Sequence, residues 1–369
     1  MGYVEGLNDA RTKHGKRRVL ARRGRAGEKS DCFSILLEED PMNFDQRKDE
    51  QPIRSGELPV VPGPSTGPPE DLSHLPPNDD FEETPFSKWI LPVSLFVATI
   101  FTTLWAGAYQ VYNGPIHGPV NFLLEHPEGL WRGLPFAATL LFILVTHECG
   151  HYVLSRIHKV PASLPLFIPG PPYFVGTFGA IIRLRGPIMN RRALFDIGVA
   201  GPLAGFIAAV VALIIGLNLS TVVDRTATRG LELGEPLLLQ FISWLVVGSI
   251  PAQADIVLHP IGFAAWFGLF ITSLNLIPIG QLDGGHVAYA LWGSRQRIMA
   301  FIMLPILIVL GFVGWPGWWL WAFMAGLWGF GHPPVRDIHV PLGRNRIVVG
   351  WVALAVFVLT FAPVPFSFH

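Results

Sequence analysis

Between Arg297 and His332 the chain runs through 34 residues without one charged side chain. As a single helix that run would be roughly 50 Å long, far more than the ~30 Å hydrocarbon core of a bilayer requires. It therefore has to turn once, and Gly314-Trp315-Pro316-Gly317 has the residues for a turn. Two spans follow, 298–314 and 317–331, with Trp315, Trp318, Trp319 and Trp321 suited to a membrane interface. Other apolar runs after Trp89 give spans at 90–112, 133–156, 196–219, 260–280 and 347–363. Segment 236–250 is apolar but short, an interfacial or re-entrant piece. The expected fold is an all-α polytopic membrane protein of about seven transmembrane helices.

Charge is distributed to match. Hydrophobic residues make up 50% of the chain and charged ones 15%. Residues 1–86 hold 12 of the 27 Lys+Arg and 17 of the 27 Asp+Glu. A basic stretch from Arg11 to Lys29 gives way to acids at Glu38, Glu39 and Asp40, and nine prolines follow between Pro52 and Pro85. Such a composition buries too little apolar surface to offset chain entropy, so 1–86 reads as a disordered polar N-terminal tail ahead of a membrane domain at 87–369. Met42 offers an internal start, which makes 1–41 an expected upstream translation artefact. Zero net charge and the lack of a long basic patch exclude nucleic acid as a main partner. The two cysteines, Cys32 and Cys149, do not form a disulfide framework.

Seven spans can be tested against charge asymmetry. With the tail inside, the loops 156–195, 293–297 and 332–346 carry 11 Lys/Arg, while the opposite loops carry three, Arg132, Arg225 and Arg229. That bias predicts a cytoplasmic N-terminus and an outside C-terminus.

The second apolar run contains His147-Glu148-Cys149-Gly150-His151. Positions four apart share a helix face, so both imidazoles can reach one ion with Glu148 beside them, while Cys149 points away. The alternative is a pair of ordinary histidines. Against it stands the cost of a Glu inside a membrane helix, on the order of 2–3 kcal/mol unless it serves a site. A catalytic zinc site takes three protein ligands and keeps a fourth position open. The acid placed to complete it is Asp283, in Asn275-Leu-Ile-Pro278-Ile-Gly-Gln-Leu-Asp283-Gly284-Gly285-His286. Pro278, Gly280, Gly284 and Gly285 are expected to break or unwind the helix there, and irregular backbone at membrane depth is tolerated where it lines a cavity. The alternative for Asp283 is a helix-end cap at the cytoplasmic surface.

Three separated motifs together resemble the site-2 proteases, membrane-embedded zinc metallopeptidases. They are the HExxH helix at 147–151, the glycine-rich Gly201-Pro202-Leu203-Ala204-Gly205, and the N-x-x-P-x-x-x-x-D-G element from Asn275 to Gly284. The resemblance covers roughly 90–365. It implies that His147, His151 and Asp283 bind Zn2+, that Glu148 is the catalytic acid/base, and that Asn275 steadies the substrate carbonyl or developing oxyanion. Gly201 and Gly205 read as helix-packing positions. Many relatives insert a PDZ domain, for which no segment here has room; 220–259 is about 40 residues, well below a usual domain. The layout, with Gly331-His332-Pro333-Pro334, looks like a PDZ-less bacterial branch related to chloroplast site-2-like proteases.

A substrate helix hides its peptide bonds in its own hydrogen bonds and must unwind to be cut. In 161–187 five prolines exclude a helix from the first part, while Tyr173-Phe174-Val175 and 180–185 read as short strands around Gly176 and Gly179. We expect a membrane-associated hairpin whose free edge pairs with substrate, the alternative being a re-entrant loop that only shields the site. His286 reads as a partner of the metal ligands or as a solvated residue, and His332 has no assigned role. The partners implied are the lipid bilayer and a membrane-protein substrate, either a single-span regulator or a signal-peptide remnant. The expected location is a bacterial inner membrane, with the active site toward the cytoplasm. A zinc-binding scaffold without proteolysis, or a transporter, is the rival reading.

Overall fold

The computed structural model describes residues 86–368, apart from 113–117, 187, 225–230, 252, 329–330 and 333–334. The expectations for the tail at 1–85, including its start at Met42, lie outside the described residues, as do Arg225, Arg229, Pro333 and Pro334. What is described is mostly helical. The helices are α1 (Leu91–Gln110), α2 (Pro119–Glu125), α3 (Leu134–Ile157), α4 (Arg191–Asn218) and α5 (Leu237–Val246), then α6 (Pro260–Asn275), α7 (Asp283–Trp292), α8 (Gln296–Val313), α9 (Gly317–Trp328) and α10 (Arg344–Thr360).

Local chemistry accounts for where they start and how they survive in an apolar medium. Proline in the first turn opens α1, α3 and α6, and Asn190 caps α4 by accepting the Ala193 N–H at 2.9 Å. Buried threonines satisfy their own hydroxyls by donating to the carbonyl four residues back. Thr99 does so to Leu95 at 2.8 Å, Thr103 to Thr99 at 2.7 Å and Thr272 to Gly268 at 2.8 Å. The expected turn stands between Val313, the end of α8, and Gly317, the start of α9.

Among the described residues four helical stretches are long and apolar enough to cross a membrane: Lys88–Gln110, Pro127–Ile157, Arg191–Asn218 and Asp283–Val313. The protein is a membrane protein, and the count of seven spans is not reached by this measure. α6, with 16 residues, and α5, with 10, are shorter apolar helices. The expected span 260–280 falls short because the backbone leaves the helix after Asn275.

The expectation of an all-α fold with one small hairpin is extended by two further ladders, since three two-stranded antiparallel ladders are present among the described residues. Strands β1 (Leu166–Pro169) and β2 (Thr177–Ile181) pair with each other, β3 (Thr221–Asp224) pairs with β5 (Ala254–Val257), and β4 (Leu231–Leu233) pairs with β6 (Phe366–Phe368). The first is the anticipated hairpin, in a different register. Tyr173–Val175 lies in the turn, not in a strand, and the ladder stops at Ile181 apart from an isolated bridge between Ala162 and Leu184. Proline at 169 is tolerated because a two-stranded ladder is all edge, and the pairing slips between Phe167 and Pro169. The tip is tied to α1: Thr102 Oγ1 donates to the Gly176 carbonyl at 2.6 Å and Gln110 Nε2 to that of Phe174 at 2.8 Å. Gly176 has φ +77°, and a Cβ there would collide with the Thr102 backbone.

α3, α4 and α6 pack as a trio, with α7 laid against α4. Their shared core includes Leu140, Ile143, Leu144, Ala209, Leu213, Ala265 and Leu269. The crossing of α4 and α6 has no room for a side chain at Gly216, where a Cβ would enter the backbone of Gly262. Gly216→Val is expected to cost about 1–3 kcal/mol or more by forcing the two helices apart, and Gly216→Ala less. Thermal unfolding of the purified variants in detergent, compared with the parent chain, checks that order.

Candidate metal centre

The α3 helix carries His147, Glu148 and His151 on its inward side, where they are 4%, 5% and 9% exposed. Cys149, between them in sequence, is exposed and carries no disulfide. His147 stands thirteen residues beyond Leu134, roughly 20 Å along the helix. Its depth makes three adjacent polar side chains costly unless they meet partners of matching chemistry.

That partner comes from a break in the helical path. α6 ends at Asn275, residues 276–282 are not helical, and α7 begins at Asp283. The break is narrower than expected. Gly284 and Gly285 lie inside α7, correcting the reading of them as an unwound segment. A Cβ on either would run into the carbonyl oxygen of Leu276 or Gly280, so glycine here lets the first turn of α7 sit on the preceding loop.

Three ligand-type atoms converge. His147 Nε2 and His151 Nε2 are 3.1 Å apart, and Asp283 Oδ2 is 3.2 Å from each. Among the described residues these three form the group that could hold a metal ion. His151 Nδ1 donates to the Ile197 carbonyl at 2.8 Å; a carbonyl only accepts, so Nδ1 carries a proton, which in the neutral ring leaves Nε2 as the atom free to ligate. Tetrahedral zinc with ligand distances of about 2.0–2.1 Å has ligand–ligand edges of about 3.3 Å. The triangle of 3.1–3.2 Å edges therefore fits that ion in size, and two imidazoles with one carboxylate fit it in kind. Asn275 Nδ2 lies 3.3 Å from His147 Nε2, at the rim of the same group.

The glycine-rich motif of α4 has a more direct part than helix packing. A Cβ on Gly201 would fall within the His151 imidazole, at Nε2, and one on Gly205 would stand 3.1 Å from His147 Nδ1. Small residues at these two positions leave the space that the paired rings occupy. The structure brings His147, His151 and Asp283 together as the sequence reading expected, with Glu148 on the same helix and Asn275 at the rim; for the carbonyl of Ile197 a sequence offers no signal. The sequence reading also left His332 without a role, and the structure puts that ring on His286.

Comparison with known proteins bears on the same segment. Residues 135–313 match the model of peptidase family M50. A rice (Oryza sativa subsp. indica) protein described as "Probable zinc metalloprotease EGY2, chloroplastic" is 30% identical over 298 residues, 78% of this chain and 52% of its own. The Arabidopsis thaliana protein of the same description is 28% identical over 299 residues, 78% of this chain and 51% of its own. The "Probable zinc metalloprotease EGY1, chloroplastic" of Arabidopsis thaliana is 32% identical over 240 residues, 63% of this chain and 43% of its own. The chain thus spans about half the length of these curated relatives. No solved structure matches it.

The contact between glycine and imidazole is open to test. Gly201→Ala is expected to push His151 off its position and to lower bound zinc at least ~10-fold, with helix content kept. Elemental analysis of the purified variant beside its circular dichroism spectrum checks this.

Proposed function

We propose that this chain, whose residues 135–313 belong to peptidase family M50, is an intramembrane zinc metalloendopeptidase. It hydrolyses peptide bonds within or near transmembrane segments of other membrane proteins. The observation that carries the reading is the triangle of His147, His151 and Asp283, at 3.1–3.2 Å, with the buried Glu148 beside it on α3.

Each residue then has a task. His147, His151 and Asp283 hold the ion, and the Ile197 carbonyl keeps the His151 ring in the tautomer that can ligate. When bound there, zinc polarises a carbonyl and makes water acidic, with a pKa near ~7. Glu148 takes one proton from the attacking water as the new C–O bond forms, and delivers it to the amine nitrogen as the C–N bond breaks. Asn275, at the end of α6, donates a hydrogen bond to the carbonyl oxygen as charge gathers on it.

The hairpin presents the substrate. β1 packs against α1, and β2, the other strand of this two-stranded ladder, offers its outer edge to an unwound segment, with Phe178 and Ile181 exposed along it at 71% and 51%. Substrates of this kind are single-span regulators and signal-peptide remnants. The seven-span arrangement, with helices α1, α3, α4, α6, α8, α9 and α10, is supported by the excess of Lys/Arg in alternate loops. In that arrangement the metal centre faces the cytoplasm of a bacterial inner membrane.

Glu148→Gln is expected to keep its zinc and to lower cleavage of a membrane-spanning test substrate ~100-fold or more, whereas Asp283→Ala loses the zinc as well. Unchanged cutting by Glu148→Gln would overturn the reading; a scaffold or transporter would show no cutting even in the parent chain. For the hairpin, Ile181→Pro should reduce cleavage of the same substrate ~10-fold while zinc content stays at the parent level. Equal cutting would leave β2 with only a shielding part.

A further inference from the structure

α7 begins with the residue that has to be placed best and has little of its own to place it. Asp283 is its first residue, and Leu282, at the capping position, supplies no side-chain hydrogen bond to the helix start. Gly284 and Gly285 follow directly, and each glycine inside a helix weakens it by about 1 kcal/mol relative to alanine. A carboxylate carried on such a turn needs to be held from outside.

Two groups one turn further on supply the hold. His286 is three residues after Asp283 and so shares its face of α7. On one side it is backed by α4: a Cβ on Gly198 would come within 2.8 Å of the His286 Cβ, and the neighbouring Ile197 carbonyl binds His151. On the other side is His332, 8% exposed, whose Nε2 lies 2.6 Å from His286 Nδ1. One ring nitrogen donates and the other accepts. His332 also stacks on Tyr289, a further turn along α7, with ring centroids 4.5 Å apart and planes 20° from parallel.

The described residues that come later in the same connection, 336–341, are anchored at the start of α4. Arg336 N–H donates to the Ile188 carbonyl at 3.3 Å and Asp337 N–H to that of Met189 at 3.1 Å. Arg191 N–H returns to the Asp337 carbonyl at 3.1 Å, and Arg192 Nε donates to the Pro341 carbonyl at 2.7 Å. Residues 336–341 are therefore fixed relative to α4, whose Ile197, Gly201 and Gly205 bear on the histidines of the metal centre.

We propose that His332 is a positioning residue for the metal centre: it holds His286, and through it the first turn of α7, so that the Asp283 carboxylate stays on the two imidazoles. The inference rests on the metal-binding reading given above. It assigns a role to the Gly331-His332 stretch that the chemistry of hydrolysis does not use.

The test is made on the full chain in detergent, stripped of metal and titrated with Zn2+ against a competing chelator, with the visible spectrum of the Co2+-loaded protein as a second readout. His332→Phe keeps a ring on Tyr289 and removes the hydrogen bond. It should raise the zinc Kd ~10-fold or more and change the Co2+ d–d bands, as loss of a group that orients a ligand does. His286→Leu should do the same, and the double variant should be no weaker than either single one, because the pair acts as a unit. His332→Gln, which can donate or accept, should return within ~3-fold of the parent. A folded His332→Phe with parental zinc affinity and Co2+ spectrum, or single losses that multiply in the double variant, would overturn the proposal. Where His332→Phe does not fold, His286→Leu decides by the same two readouts. Failure of the parent chain to take up zinc would instead strike the metal reading itself.

Discussion

Three electron-pair donors from two distant stretches of chain meet at 3.1–3.2 Å, two on largely buried imidazoles and one on a carboxylate that is 17% exposed. Atoms of that kind repel one another at that distance unless positive charge is shared among them, and in a low-dielectric setting the repulsion is not screened. The arrangement is therefore expensive to build by packing alone. It becomes favourable with a divalent cation, because two imidazoles and a carboxylate are the donor types that suit zinc. The rest of the fold can be understood as what holds these donors where such an ion needs them.

Proximity is obtained by removing side chains. Gly201 and Gly205 on α4 leave the volume that the His151 and His147 rings fill, and on α3 a Cβ at Gly150 would enter the Ala200 carbonyl. Gly198 does the same for His286, and Gly216 and Gly262 let α4 and α6 cross closely. In lipid no hydrophobic force drives helices together, so close approach through small residues supplies the contact energy. The same approach brings the Ile197 carbonyl to His151 Nδ1, which orients a ring of the candidate metal centre. Packing and metal chemistry thus use the same face of α4.

The parts legible in the sequence were those governed by short-range pattern. The turn at 314–317 followed from a run too long for one span, and HExxH spacing is enough to place two imidazoles on one helix face. Asp283 was legible because acids are scarce among apolar residues, so an acid there needs a reason. What could not be read depends on contacts between distant segments. The hairpin register is set by Thr102 and Gln110 of α1 holding the tip at Gly176 and Phe174, which moved the strands to 166–169 and 177–181. β6 is paired with β4, more than a hundred residues earlier, and the core contacts of Phe366 with Trp266, Phe267 and Phe270 accompany that pairing. Gly284 and Gly285 looked like breakers because glycine propensity was weighed without the carbonyls of Leu276 and Gly280 lying against them. His332 carried no local signal, since its partner is 46 residues away.

The break between α6 and α7 shows why such a device can exist at membrane depth at all. Ending a helix there frees backbone groups that lipid cannot satisfy, at several kcal/mol each. Here the loop answers most of them itself. Leu276 N–H reaches the Thr272 carbonyl at 3.1 Å, Ile277 N–H that of Leu274 at 3.2 Å, Ile279 N–H that of Ile277 at 2.8 Å and Leu282 N–H that of Ile279 at 3.2 Å. The carbonyl of Pro278 is met at 3.3 Å by Nε2 of Gln296, a fully buried residue at the start of α8. With the backbone answered in this way, the break can place two side chains that a continuous helix would separate. Eight residues apart on an unbroken helix, Asn275 and Asp283 would stand roughly 12 Å from each other along the axis. On either side of the break, both come within 3.3 Å of the same His147 nitrogen. The proposed hydrolysis asks for a carboxylate and an amide at one point, and interrupting the helix is what lets one short stretch of chain bring both to the same imidazole.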